Sequence, residues 1–281
     1  MKQHIYHKGE YFLSDEPILY SNNRALRFGD ALFETIRLIN GKPQMLKDHL
    51  TRMTKGLNVL KMQAPLNFEV GYIENIITEL SKKNNLLKDS RVRFTVYRKE
   101  GEHYTPDSNA TDYLIETTPL EDMGYVLNAK GLTIDLFSDF KKSKNTLSSI
   151  KSANSLLFVL AGIYKKENNL DDCIILNDSM QIVEAISSNI FAVKNGVLYT
   201  PPIADGCVEG VMRKRIIEIA QTNKIAVYEN SIMQNVLLGS DELFLTNSIN
   251  GIKWVVAYKQ KRYFNTTSKK IIELLNKSIE R

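Results

Sequence analysis

Four short segments set reactive or charged side chains among small polar neighbours. The first is Ser148-Ser149-Ile150-Lys151-Ser152-Ala153-Asn154, a single lysine just ahead of an apolar stretch. A lysine held there is partly desolvated, which disfavours its ammonium form and makes the amine a usable nucleophile. The plain alternative is a lysine pointing to solvent near a helix start. The second is Val183-Glu184-Ala185-Ile186-Ser187-Ser188-Asn189, a carboxylate leading into a strand, or a turn with an exposed acid. The third, Gly206-Cys207-Val208-Glu209-Gly210-Val211-Met212-Arg213, is a glycine-flanked turn opening a helix. The free N–H groups and positive dipole end of such a helix favour a phosphate, although many helices begin after glycine. The fourth, Leu245-Thr246-Asn247-Ser248-Ile249-Asn250-Gly251, ends an apolar strand in polar groups, where a plain turn competes as an explanation. Together the segments supply what pyridoxal phosphate requires: an amine for the Schiff base, an acid for the ring nitrogen, and N–H groups with an arginine for the phosphate.

These segments have to be positioned by a mixture of strands and helices. Strand patterns stand near Tyr6, at Tyr11-Phe12 and at Ala31 to Leu38, and Asn40-Gly41-Lys42-Pro43 reads as a turn. From His49, apolar residues at Leu50, Met53, Leu57 and Leu60 keep helical spacing, as do Ile73, Ile76, Ile77 and Leu80. Strands are predicted at Arg91 to Arg98, Tyr113 to Thr117, Leu132 to Phe137 and Asp172 to Leu176, with a helix from about Asn154 to Lys166. Lys194-Asn195-Gly196 between Ile190 to Val193 and Val197 to Thr200 is the strongest hairpin signal. A helix at Val211 to Gln221, strands at Ile225 to Glu229, Glu242 to Leu245 and Trp254 to Tyr258, and a helix at Ser268 to Ile279 follow. Without strict βαβ alternation this is an α+β chain of two domains. The expected division is a small N-terminal domain over 1–118, a linker over 119–130 and a larger C-terminal domain over 131–281.

Composition bounds the reading. A chain of 281 residues with 43% hydrophobic and 25% charged residues is an ordinary globular protein with room for a large core. The longest apolar run, Leu156 to Tyr164, is too short to cross a bilayer, and no secretory leader is visible, so a cytoplasmic location without a membrane partner is expected. The net charge of +5 is spread over short clusters such as Lys141-Lys142-Ser143-Lys144, so no nucleic-acid partner is expected. Cys173 and Cys207 form no CxxC pair, and the four histidines show no metal-ligand spacing, so no metal site is expected. Signatures for nucleotide-driven chemistry, a Rossmann dinucleotide site and serine hydrolysis are absent.

The order of the motifs resembles the class IV (fold-type IV) pyridoxal-phosphate enzymes: branched-chain aminotransferases, D-amino-acid aminotransferases and aminodeoxychorismate lyases. The resemblance runs from about Asn23 to Val256 through Arg24 to Arg37, His49-Leu50-Thr51-Arg52, Ile150 to Asn154, Glu184 to Asn189, Gly210-Val211-Met212-Arg213 and Leu245-Thr246-Asn247-Ser248. It implies a small N-terminal α/β domain, a larger C-terminal domain with a mixed sheet or pseudo-barrel, and a homodimer with its active site near the domain interface. It also implies that Lys151 holds pyridoxal 5'-phosphate covalently and shuttles the proton, while Glu184 pairs with the ring nitrogen. Arg52, Ser248 and the N–H groups of Val211 and Met212 are implied at the phosphate, with Asn247 beside them. Ser188 and Asn189 fall in the segment that passes the ring.

Departures from the branched-chain pattern point to one branch of the family. Gly210-Val211-Met212-Arg213 replaces Gly-Ile-Thr-Arg, Phe33-Glu34-Thr35-Ile36-Arg37 replaces Phe-Glu-Gly-Ile-Arg, and Asn247 to Ile252 lacks Gly-Thr-Ala-Ala-Glu. Ser155 stands where a nearby tyrosine serves the ring hydroxyl in branched-chain enzymes. These lean toward a 4-amino-4-deoxychorismate lyase of folate synthesis, which releases pyruvate and 4-aminobenzoate; the alternative is an amino-acid aminotransferase of the branched-chain or D-amino-acid type. Either substrate is an anionic amine. Arg27, Arg93, Arg98 and Thr35 are candidates on the substrate side, each with a solvated face as the competing role, and His49 reads as structural.

Overall fold

The computed structural model describes residues 3–279 apart from 87, 102 and 122. The chain divides into two compact units: residues up to Gly124 together with Ile150–Asn154, and Tyr125–Ser149 together with Ser155–Ile279.

The first unit runs β1 (His4–His7), β2 (Glu10–Leu13), α1 (Arg24–Phe28), β3 (Ala31–Ile39), β4 (Lys42–Pro43), α2 (Leu46–Val59), α3 (Val70–Lys83), β5 (Ser90–Arg98) and β6 (Thr111–Pro119). The strands form an antiparallel sheet in the order β2-β1-β6-β5-β3-β4. Successive residues of a strand point to opposite faces, so Leu32, Ile36 and Leu38 of β3 share one face with Val92, Phe94 and Val96 of β5. That face is buried against Leu50, Met53 and Leu57 of α2 and Ile73, Ile77 and Leu80 of α3. Fully burying each such side chain is worth about 1.5–3 kcal/mol, which makes this face the stabilising half of the unit. Phe33 and Thr35 fall on the other face. Helix α1, which periodicity does not announce, is defined by its ends: the Asn23 side chain accepts the Leu26 N–H at 3.2 Å, and Gly29 closes it at φ +66°.

The second unit runs β7 (Leu132–Lys142), α4 (Thr146–Ser149), α5 (Leu156–Glu167), β8 (Asp172–Asn177), β9 (Ile182–Ala185), β10 (Asn189–Lys194), β11 (Val197–Thr200), α6 (Val211–Thr222), β12 (Val227–Glu229), α7 (Gln234–Gly239), β13 (Glu242–Asn247), β14 (Gly251–Tyr258), β15 (Lys261–Arg262) and α8 (Thr266–Lys277). Its sheet is mixed, in the order β12-β11-β10-β13-β14-β7-β8-β9, with β7 parallel to both β14 and β8. Ile174 and Leu176 of β8 enter one apolar cluster while Cys173 and Ile175 enter another, so the continuous apolar run Cys173 to Leu176 marks a strand buried on both faces. The expected hairpin is present: Lys194 pairs with Val197 across Asn195 (φ +50°) and Gly196 (φ +75°), the left-handed pair a tight two-residue turn requires. The α+β organisation is the one the sequence predicts.

Candidate active site

The lysine segment belongs to the first unit. Strand β4 pairs only with Leu38 and Ile39, which leaves the edge of β3 at its start open. Residues 151–153 fill it: the Phe33 N–H donates to the Lys151 carbonyl at 3.0 Å and the Ala153 N–H donates to the Ala31 carbonyl at 2.9 Å. Asn154 then meets Gly29, where an added Cβ would lie 2.6 Å from its Oδ1, so the approach needs glycine as well as the positive φ. The Lys151 Nζ comes to rest 4.5 Å from the centroid of the Phe33 ring, and the Arg93 guanidinium lies 4.1 Å from the same ring. Arg93 pairs in register with Thr35 on one side and Glu116 on the other.

Of the remaining arginine candidates, Arg98 is engaged by Asp30 at 2.9 Å and by the Leu60 carbonyl at 2.7 Å. Arg27 lies at the surface with its Nε on the Ser21 carbonyl at 3.0 Å. Neither is placed as Arg93 is, over the ring that Lys151 covers.

Behind β3, on its helix-facing side, Glu34 is buried between two residues of α2. Its Oε1 accepts from Arg52 Nε at 2.8 Å, its Oε2 accepts from Arg52 Nη2, and His49 Nδ1 lies 2.6 Å from Oε2. A carboxylate only accepts, so His49 carries its proton on Nδ1. Burial by itself would raise the Glu34 carboxyl; the Arg52 charge, then His49, outweigh it and bring it down to about 2. Burial pushes His49 the other way, below its ordinary value, despite the pull of Glu34. Arg52 is thereby locked in position by two parallel charge-assisted hydrogen bonds.

In the second unit, the sequence left Glu184 open to being an exposed acid on a turn; the structure places it on β9, buried opposite Ile175. Its Oε1 accepts from the Lys142 ammonium and its Oε2 accepts the Val208 N–H at 3.1 Å. Asn189, at the head of β10, donates to the Val208 carbonyl at 2.9 Å. Helix α6 opens at Val211, and Gly210 at its N-cap brings no side chain to the first N–H groups. A Cβ on Gly210 would lie 1.8 Å from Asn189 Oδ1. Asn189 sits opposite Thr246 on β13, whose Oγ1 is buried with no hydrogen-bond partner among the described residues. Asn247 donates to Ser188 Oγ at 2.9 Å and accepts the Ile249 and Asn250 N–H groups at 3.1 and 2.8 Å, tying off the turn. The Ser248 carbonyl accepts the Tyr125 hydroxyl at 3.2 Å.

Glu184, Ser188, Asn189, Val211, Met212, Asn247 and Ser248 therefore come from the second unit, while Lys151 and Arg52 come from the first. A buried carboxylate, an uncapped helix start behind a glycine and an unpartnered buried hydroxyl form a donor set that fits a phosphorylated pyridine ring. Sequence reasoning missed Lys142, which reads as one more charge in a surface cluster, because nothing in its spacing marks it as the partner of an acid. Gly210→Ala should push Asn189 aside and weaken phosphate-dependent cofactor retention by tenfold or more, about 1.4 kcal/mol. Cofactor titration of the apoprotein checks this, and unchanged affinity would show that the glycine makes no cradle.

The family model for class IV amino-transferases matches residues 31–258. The chain belongs to the class IV aminotransferases. This family of enzymes works with pyridoxal phosphate. One relative, from Methanocaldococcus jannaschii and provisionally named a branched-chain-amino-acid aminotransferase, is 30% identical over 87% of this chain and 84% of its own. Others carry the name D-alanine aminotransferase, such as one from Staphylococcus epidermidis at 24% identity over 87% of this chain and 85% of its own. Among solved structures, a provisionally named 4-amino-4-deoxychorismate lyase from Legionella pneumophila superposes with a TM-score of 0.85 at 24% identity, covering 94% of this chain and 96% of that one. An aminotransferase from Brucella abortus bound to the cofactor PLP superposes with a TM-score of 0.86 at 21% identity, covering 98% of each chain. At these identities the structural likenesses show a shared fold-type IV architecture. No helix among the described residues is long and apolar enough to cross a membrane.

Proposed function

We propose that this class IV enzyme is a 4-amino-4-deoxychorismate lyase that releases pyruvate and 4-aminobenzoate, the latter for folate synthesis. The observation that carries the reading is Lys151 and Arg93 over the one Phe33 ring, a base and a carboxylate partner beside a flat apolar surface. A carboxylate-bearing cyclohexadiene that flattens as it becomes aromatic suits that arrangement. The Asn247-bound turn in place of the branched-chain motif supports it, as does the likeness to the Legionella protein.

The chemistry supplied by bound pyridoxal phosphate is an electron-accepting ring conjugated to the substrate nitrogen. Glu184 would hold the proton on the ring nitrogen, and Arg52, Ser248 and the N–H groups of Val211 and Met212 would hold the phosphate. Ser188 and Asn189 would lie beside the ring, and Asn247 fixes Ser188. Arg93 takes the substrate carboxylate, and Thr35 beside it offers a hydroxyl. Lys151 removes the proton from the amine-bearing carbon. The C–O bond to the enolpyruvyl group then breaks, and its electron pair leaves with the oxygen. The former C–H pair completes the aromatic ring, and the released enol takes up a proton to become pyruvate. No further reactant is consumed.

The test is fresh 4-amino-4-deoxychorismate given to cofactor-loaded protein, with Lys151→Ala as the blank. Equal release of 4-aminobenzoate and pyruvate is expected. Amino transfer from an amino acid without that release would instead make the chain an amino-acid aminotransferase, the reading favoured by the names of its sequence relatives.

The assembly proposed is a homodimer. Leu156, Val159, Leu160 and Ile163 make an exposed stripe at helical spacing along α5, and covering it with a second copy removes it from water. Light scattering should give twice the 32.1 kDa chain mass, and a monomer at micromolar concentration would refute the pairing.

A further inference from the structure

Lys142 ends β7 with its side chain 11% exposed, and its ammonium bonds the Glu184 carboxylate, itself 5% exposed. The same ammonium lies 5.5 Å from the Phe158 ring centroid, a second contact that suits a cation. The other oxygen of Glu184 accepts the Val208 N–H. The other titratable groups in this region have surroundings or partners of their own. Cys207 is held neutral, its thiol pushed up to about 12 by burial and then by Glu184. Arg213 is engaged by Glu229 at 2.5 Å and by the Pro201 carbonyl at 2.8 Å. Asp205 is taken by Lys144 and Ser231. Among the described residues, Lys142 is the cation bonded to Glu184.

A carboxylate that shares its charge with an ammonium holds a second proton-bearing partner less tightly than a bare one. With its nitrogen less firmly protonated, the bound cofactor would draw charge less completely off the reacting carbon. More of that charge is left to expel a leaving group on the neighbouring carbon, and less time is left for reprotonation elsewhere. We infer that Lys142 is a positioning residue that decides reaction type: by sharing the Glu184 carboxylate it limits the acid's hold on the cofactor's ring nitrogen and favours elimination over amino transfer. The inference rests on the reading that Glu184 serves that nitrogen.

The experiment loads cofactor labelled with ¹⁵N in its ring into the wild type, Lys142→Met and Lys142→Arg, and follows the ring-nitrogen resonance against pH. The Met variant should raise the nitrogen's protonation midpoint by about one pH unit, tenfold in proton affinity, and cut the ratio of pyruvate to amino-transfer product by a similar factor. The Arg variant should restore both. A merely structural ion pair would lower stability in the Met variant and leave the nitrogen resonance where it was, which overturns the inference. If the Met variant does not fold, Lys142→Gln carries the same comparison, since it can donate to Glu184 without charge. A wild type that releases no pyruvate while its nitrogen midpoint still moves in the Met variant would overturn the proposed function and the choice of reaction drawn from it, whereas an unmoved midpoint would overturn the inference alone.

Discussion

Lys151→Ala is expected to lose covalent cofactor retention, the visible absorption that goes with it, and turnover by about 10³-fold or more. On the proposed function two roles would disappear together: the amine that anchors the cofactor and the base that moves the proton at the amine-bearing carbon. Positioned proton transfer alone is worth about 10²–10⁴-fold. The fold should survive, because β3 holds this segment through the Lys151 carbonyl and the Ala153 N–H, neither of which the substitution touches. Absorption spectra and product release on the same preparation check it. A variant that kept its colour and full activity would remove Lys151 from the mechanism and take the proposed function with it.

Glu34→Gln is expected to destabilise the first unit strongly. The carboxylate is buried with the Arg52 guanidinium on one side and His49 on the other. Removing its charge leaves that cation with no counter-charge on Glu34, and breaking a buried pair in this way costs about 3–5 kcal/mol. At about 2–4 °C per kcal/mol, Tm should fall by roughly 10 °C. The pair also makes the unit acid-labile in a defined window. Because the Glu34 carboxyl is lowered from 4.5 to about 2, its stabilisation is complete above pH 4.5 and is lost as pH falls toward 2. His49 acts in the same direction: lowered from 6.5 in the folded state, it takes up its proton more readily once unfolded, so falling pH below 6.5 also favours unfolding. The drop in Tm between pH 7 and about pH 3.5 should be smaller for the variant than for the wild type, because the Glu34 share of it is gone while the His49 share remains. A variant Tm within two degrees of the wild type at pH 7 would mean that the network contributes no net stability.

Local periodicity carried much of the fold. The spacing of Leu50, Met53 and Leu57, the alternation through Val92, Phe94 and Val96, and the Asn195-Gly196 turn each depend on neighbours a few residues away, and the elements they predict are present. Helix α1 was not legible, because five residues are too few to show a period and its definition lies in its two caps. Neither was the surrounding of Glu184: an acid between apolar residues reads the same whether it ends a turn or lies buried on β9. The motif order from Arg24 to Ser248 nevertheless led to the family, because spacing along a chain survives changes in packing.

Residue types and their order determined by themselves the family, the cofactor and which lysine and carboxylate to examine. Tertiary structure decided which neighbours those groups have. The lysine segment, nearly 120 residues beyond β3 in sequence, returns to the open edge of that strand, and so puts Lys151 over the Phe33 ring with Arg93. Lys142, indistinguishable in sequence from Lys141 and Lys144, becomes the partner of Glu184 because parallel pairing of β7 with β8, followed by β9, sets its ammonium against that acid. Pairing between distant strands is invisible to local periodicity, and it is this pairing that sets the charge beside each reactive group.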